Sequence, residues 1–298
     1  MSLSDPLFAA MDNIQSRVVT TDRLRAQVRV NGAPDGMPLL LLHGSHASSR
    51  WWLPLMALLP DEIYAVAIDL RGCGGSDKSA DGYEIDQQAA DVWSIVQALD
   101  LRGIDLVAHS SGAAVAVEYA LTHQESLSTL TLVDPVPAEG VYTPLDVFLL
   151  LEQMQTDRPL HAQAIGAMMP TFDAETRPED RAFFNRLVDD AQGMAPAAFA
   201  GMASALGRWN RFSEVQALTL PTLLIWGDQD EIVNRDEITR TLIAIPGANN
   251  LEVLRGVGHS PMVEAPLVLA ERIVDFITED YAEYGAIRDM AEDQSRDE

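Results

Sequence analysis

From residue 37 onward, short runs that are apolar at nearly every position take turns with longer runs in which apolar residues recur every three to four positions. The short runs are "MPLLLLH" (37–43), "YAVAID" (64–69), "IDLVAH" (104–109), "LSTLTLVD" (127–134) and "PTLLIWG" (221–227). A strand with one wet face alternates; a strand apolar throughout is buried on both faces. Between the strands stands "YEIDQQAADVWSIVQALDL" (83–101), with Ile85, Ala89, Val92, Ile95, Val96 and Leu99 on one helical stripe. Further helical runs follow at "SGAAVAVEYALTH" (111–123), 235–245 and "APLVLAERIVDFI" (265–277), and a shorter one precedes them at "RWWLPLMALLP" (50–60). Buried strands joined through helices pair in parallel, with helices on both faces. "LRAQVRV" (24–30), which does alternate, and "NLEVL" (250–254) add strands. The expected fold class is therefore α/β: a mostly parallel central sheet covered on both sides.

The pattern breaks between Pro135 and about Phe212, where strands stop and helical runs rich in Met and Phe appear. The chain is expected to form its sheet domain from 1–136 and 212–284, with a helical cap inserted over 137–211. An acidic tail, 285–298, is expected to fray, its approach from Glu279 extending a helix.

Charge and cysteine narrow the function classes. Twenty basic against 45 acidic residues leave a net charge of −25, and Lys78 is the sole lysine. Such a surface repels nucleic acid and anionic membranes, so neither is expected as a partner. "PLLLLH" and "VFLLLE" (147–152) are too short to cross a bilayer, and "MSLSDPLFAAMDNIQ" has no basic n-region or apolar h-region. Cys73, the single cysteine, permits no internal disulfide. A cytoplasmic protein acting on a small molecule is expected; the sequence does not speak to oligomeric state.

The chemistry begins at "VAHSSGAAVA" (107–116). Ala108-His109-Ser110-Ser111-Gly112 has the form small-x-Ser-x-small between a strand and a helix. A sharp strand-to-helix turn strains its central residue and leaves no room for bulk two positions away. This selects Ser110 as nucleophile, with Ser111 supplying an N–H at the helix start. A serine needs a base. Of six histidines, His259 in "GVGHSPMVEAP" (256–266) follows the last strand and can reach the same sheet edge. His43 more plausibly shapes its loop, His109 points into packing, and His46, His123 and His161 have no such setting. The base needs an acid. "LLIWGDQDEIV" (223–233) offers Asp228 and Asp230; Asp230, three residues past Gly227, is preferred, and Asp134 after the preceding strand is the alternative. "LLLLHGSHASS" (39–49) places Ser45 after a buried strand and a glycine, so its N–H and that of Ser111 are the expected oxyanion hole. The sequence offers no cluster of metal ligands, and neither metal nor cofactor is expected.

These parts occur in the order oxyanion loop, Ser, Asp, His. With "HGSHASSRWW", "DLRGCGGSD" (69–77), "AHSSGA", "WGDQDEIV" and "GHSPMVEAP", the chain resembles the α/β-hydrolase superfamily over about residues 24–280. The resemblance implies that fold, supports Asp230 as the acid, and is nearest to capped esterases, lactonases, cofactor-free haloperoxidases and carbon–carbon bond hydrolases. A Ser nucleophile separates it from relatives resembling haloalkane dehalogenases and epoxide hydrolases. The favoured expectation is hydrolysis of a small, largely apolar ester or lactone through an acyl-enzyme. The same residues could serve a carbon–carbon hydrolase, a perhydrolase or a lyase, and a binding protein with a vestigial site is the third reading. Expected pocket walls are His43, Met154, Met168, Phe172, Phe183 and Trp209. Cys73 is expected to be buried rather than catalytic, with no base near it.

Overall fold

The structure, a computed structural model, describes residues 2–280; the tail at 285–298 lies outside the described residues. The chain runs α1 (Asp5–Met11), β1 (Gln15–Thr20), β2 (Arg25–Asn31), β3 (Met37–Leu42), α2 (Leu53–Met56), β4 (Ile63–Ile68), α3 (Ile85–Ala98), β5 (Ile104–His109), α4 (Ser111–His123) and β6 (Leu127–Val133). Four helices follow without a strand: α5 (Leu145–Met154), α6 (Arg158–Ala167), α7 (Pro178–Gln192) and α8 (Pro196–Arg208). The rest is β7 (Thr222–Gly227), α9 (Arg235–Ala244), β8 (Ala248–Leu254), α10 (Pro261–Glu264) and α11 (Pro266–Asp275).

One eight-stranded sheet has the order β1-β2-β4-β3-β5-β6-β7-β8. β2 pairs antiparallel with β1 and β4; from β4 to β8 every pairing is parallel. Successive strand residues face opposite ways, and both faces are dry. Leu40 and Leu42 of β3 pack with α3 and α4 through Val92, Ile95, Ala113 and Val117, whereas Leu39 and Leu41 pack with α2 and α11 through Leu55, Met56, Leu269 and Ile273. That two-sided burial explains the unbroken apolar runs.

Two elements escape the sequence pattern. β1 buries only Val19 and so carries no alternation, and α1 contributes just Leu7 and Met11 to the core. The helix expected over 50–60 is shorter, a 3-10 turn at Ser49–Trp52 followed by the four residues of α2. Among the described residues no helix is long and apolar enough to cross a membrane.

The central strand β5 carries a carboxylate, Asp105, almost out of water, with the Thr129 hydroxyl of β6 donating to it at 2.7 Å. Burial pushes its carboxyl up to about 6 against the smaller pull of that hydrogen bond. A raised carboxyl favours the folded state below its unfolded value near ~3.9, and that contribution is lost as pH rises through about 6. Asp105→Asn keeps an acceptor for Thr129 and removes the charge. The variant is expected to be more stable than the wild type above pH 7, by roughly 2 kcal/mol, and to lose the advantage near pH 4. Urea denaturation of both proteins at pH 4 and 8 measures this; equal differences at the two pH values would contradict it.

Candidate active site

Parallel strands all end on one edge, where the turns leaving them gather residues far apart in sequence. Ser110 follows β5, Asp134 follows β6, the turn holding 228–230 follows β7, and the loop after β8 holds His259.

Ser110 adopts φ 53° and ψ −124°, a conformation that costs a residue with a side chain on the order of 1–3 kcal/mol. Its amide donates to the Val133 carbonyl at 3.0 Å and its carbonyl accepts from Ala113 at 3.0 Å, which holds the turn. The crowding demands small neighbours. A Cβ on Gly112 would lie 2.4 Å from the His43 carbonyl oxygen, and one on Gly44 would lie 2.8 Å from Ser110 Cβ. At the first small position the turn accommodates the methyl of Ala108, fully buried between Leu42 and Leu132.

The Ser110 hydroxyl stands 2.9 Å from His259 Nε2, and His259 Nδ1 stands 2.8 Å from Asp230 Oδ2. Asp230 cannot swing away: its Oδ1 accepts the amides of Ile232 at 2.7 Å and Val233 at 3.2 Å. The His259 carbonyl is pinned in turn by His109, which donates from Nε2 at 2.7 Å. Burial, then the neighbouring His259, hold His109 well below the usual histidine range, so it is a neutral buried brace. Asp228 is occupied elsewhere, its Oδ1 accepting the Gly256 amide at 2.7 Å.

Asp134 lies in the same cluster, with a ligand atom within 4.8 Å of those of Asp230 and His259. It makes no hydrogen bond to the histidine. Its Oδ1 accepts the Gly227 amide at 2.9 Å, while the buried Oδ2 has no partner so long as both carboxyls are read as charged acceptors. Burial first, and then the charge of Asp230, hold the Asp134 carboxyl well above the usual range. A neutral Asp134 puts a proton on Oδ2 and donates it to Asp230, which satisfies the orphaned atom.

Ser45 and Ser111 meet across the loops, Ser45 Oγ donating to Ser111 Oγ at 2.9 Å. Neither backbone amide has an acceptor among the described residues. Ser111 is the first residue of α4, so its N–H is unused by the helix.

A cavity of about 310 Å³ opens over Ser110 and His259. Its walls are mainly apolar: Val136, Val141, Val147, Leu151, Met168, Phe199, Leu206, Ile232 and Val233, with Ser45, His46, Ser111 and Glu237 among the polar ones. Of the expected walls, Met168 lines it. His43 does not: it is fully buried, donating from Nδ1 to the Gly44 carbonyl and accepting the Leu70 amide at Nε2. Phe172 and Phe183 pack against each other and into the α2/α11 side of the core. Met154 faces Met194 and Met202, and Trp209 joins the α4 side with Nε1 donating to Glu118. The cap residue Phe199 lines the cavity as well, as do His46, Leu206 and Glu237, which the sequence pattern does not single out as walls. His46, two residues past Gly44, carried the only local signal. Cys73 is buried, its thiol pushed up to about 12 by that burial. A separate depression of about 420 Å³ beside the end of α3, lined by Trp93, Asp100 and Arg102, touches none of these groups.

Residues 39–272 match the model of a family described as "Alpha/beta hydrolase family". Human "Monoacylglycerol lipase ABHD6" is 27% identical over 270 residues, covering 83% of this chain and 77% of its own length. The Xenopus laevis protein "Monoacylglycerol lipase abhd6-B" is 26% identical over 266 residues, with the same two coverages. An esterase from Exiguobacterium antarcticum superposes with a TM-score of 0.76 at 25% identity, over 89% of this chain and 100% of that one. The enol-lactonase from Burkholderia xenovorans LB400 shares the fold, with a TM-score of 0.76 at 18% identity over 88% of this chain and 100% of that one.

Proposed function

Because the chain belongs to the alpha/beta hydrolase family, we propose that it is a serine hydrolase that cleaves a small, largely apolar carboxylic ester or lactone through an acyl-enzyme. The observation carrying this reading is the relay from Ser110 through His259 to Asp230, open to an apolar cavity. In it, His259 takes the hydroxyl proton as Ser110 attacks the carbonyl carbon, and Asp230 keeps the imidazole in the tautomer that can accept it. Negative charge gathers on the former carbonyl oxygen, which the Ser45 and Ser111 amides receive. His259 returns the proton to the leaving alcohol, and water, deprotonated by the same histidine, releases the acid.

The lining favours an apolar substrate, and about 310 Å³ sits at the small end of ligand pockets. The carboxylate of Glu237 in the wall, and a net charge of −25, disfavour an anionic one. Helices α5 and α8 supply Val147, Leu151, Phe199 and Leu206 to the pocket, so we assign the segment 137–211 the role of a cap that selects the substrate. Relatives named lipase and esterase support ester chemistry.

The test is a 4-nitrophenyl ester series from acetate to laurate, together with a fluorophosphonate probe. Turnover that peaks at short chains, with one adduct located on Ser110 by mass spectrometry, is the expected result. An unlabelled serine and no turnover across the series would remove the proposal.

A further inference from the structure

We propose that His46 is a specificity residue whose Nε2 accepts a hydrogen bond from a hydroxyl group of the substrate, so that the preferred ester carries a free hydroxyl near its reacting carbonyl. This deepens the ester-hydrolase reading and rests on it.

Gln192 ends α7 inside the cap. The Gln192 side chain gives both of its amide protons away, to the carbonyls of Met154 at 2.9 Å and Gln155 at 2.7 Å. Its Oε1 is thereby oriented as an acceptor, and it is buried with no partner. His161 Nδ1 is also buried with none; burial pushes this imidazole below the usual histidine range, and the Gln192 side chain pulls it back up, as an acceptor beside it does. A buried acceptor beside a buried ring nitrogen is satisfied when the nitrogen carries the proton. His161 is then the Nδ1–H tautomer, and its Nε2 presents a lone pair.

That lone pair faces His46 Nδ1 at 2.9 Å. His46 must therefore donate from Nδ1, and a neutral imidazole that donates from one nitrogen accepts at the other. The ring is neutral, because burial and the neighbouring His161 push it down to about 3. Its orientation is fixed by edge-on packing against His161 at 4.9 Å and against Phe199 at 5.4 Å. His46 lines the same cavity as Ser110 and His259, and no protein donor among the described residues reaches its Nε2. Its backbone sits in the left-handed region, φ 58°, in the loop that carries Ser45. The side chains behind His46 thus set its Nε2 as an acceptor in a mainly apolar wall, and an unsubstituted ester cannot use it. A substrate hydroxyl can, and an ester lacking one leaves the acceptor unpaired, which is the stronger source of discrimination.

The experiment measures kcat/KM for two matched pairs: 4-nitrophenyl 3-hydroxybutyrate against the butyrate, and 1-butyrylglycerol against propyl butyrate. The first pair places the hydroxyl on the acyl side and the second on the alcohol side. The readout is the ratio within each pair, which cancels general damage. For the wild type the ratio is expected to be about tenfold or more in one of the pairs, the gain of one hydrogen bond in a dry site. In His46→Asn, whose residue type tolerates the left-handed backbone, the ratio falls toward one. His161→Phe removes the acceptor that fixes the tautomer while leaving the cavity wall, and the ratio falls there as well. Ratios near one in the wild type, or a tenfold ratio that survives His46→Asn, overturn the proposal. Absence of all ester turnover together with no fluorophosphonate adduct would instead sink the hydrolase reading on which it stands.

Discussion

Ser110→Ala is expected to lower kcat for any ester substrate by roughly 10⁵–10⁶-fold, with the folded structure retained. The expected effect is large because, in the proposed mechanism, the hydroxyl alone forms the acyl-enzyme and the relay of His259 and Asp230 has nothing else to activate. Retention of the fold is expected because the strained turn is held by main-chain bonds to Val133 and Ala113, which alanine keeps. Ser111→Ala is the informative companion. Its amide remains at the head of α4, and the side chain loses only the bond from Ser45 Oγ, so activity within about tenfold of wild type is expected. Initial rates on 4-nitrophenyl butyrate, with far-UV circular dichroism on each variant, measure both. If Ser111→Ala proved as inactive as Ser110→Ala, Ser110 would lose its place as nucleophile.

The second large effect is expected at the acid. Asp230→Asn should lower kcat by on the order of 10⁴-fold, because an amide nitrogen facing Nδ1 forces the imidazole into the tautomer that cannot take the serine proton. Asp134→Asn is expected to cost less than about tenfold. Asparagine keeps the oxygen that accepts the Gly227 amide and offers an N–H where a neutral Asp134 offers its O–H to Asp230. Asp134→Ala, which removes that donor, is expected to be worse than Asp134→Asn. Single-turnover rates for the three variants decide the matter. A mild Asp230→Asn beside a dead Asp134→Asn would transfer the acid to the β6 turn.

Asp134 and Asp230 also show where one chain of letters stops being informative. Both follow strands, both precede turns, and the sequence alone leaves each eligible. What separates them is that β6 and β7 are neighbours in the sheet, so the two carboxyls share one buried site. Two carboxylates so placed cannot both be charged at low cost. Asp134 is the one pushed toward its neutral form by burial and then by the charge of Asp230, while Asp230 is the one bonded to His259 and two amides.

The sheet was legible because strands buried on both faces must be apolar at every position, and this is a local property of Leu39–Leu42 or Ile104–Ala108. β1 was not, because an edge strand that buries only Val19 is held by main-chain pairing with β2, which leaves no mark on its side chains. The elbow around Ser110 and the loop at His259 were legible because strain and close approach restrict which residue types fit within a few positions. The cavity was not. Phe183 and Phe199 are both aromatic residues on inserted helices, yet one is sealed into the core and the other faces Ser110. Which side of a helix meets a cavity depends on how that helix packs against distant strands. The sequence by itself determined the layered sheet and set the candidate residues at strand ends, since each rests on local sterics and local burial. Only the tertiary structure decided the pocket walls, the shared burial of Asp134 with Asp230 and the meeting of His161 with His46, because each depends on groups brought together from separate turns and helices.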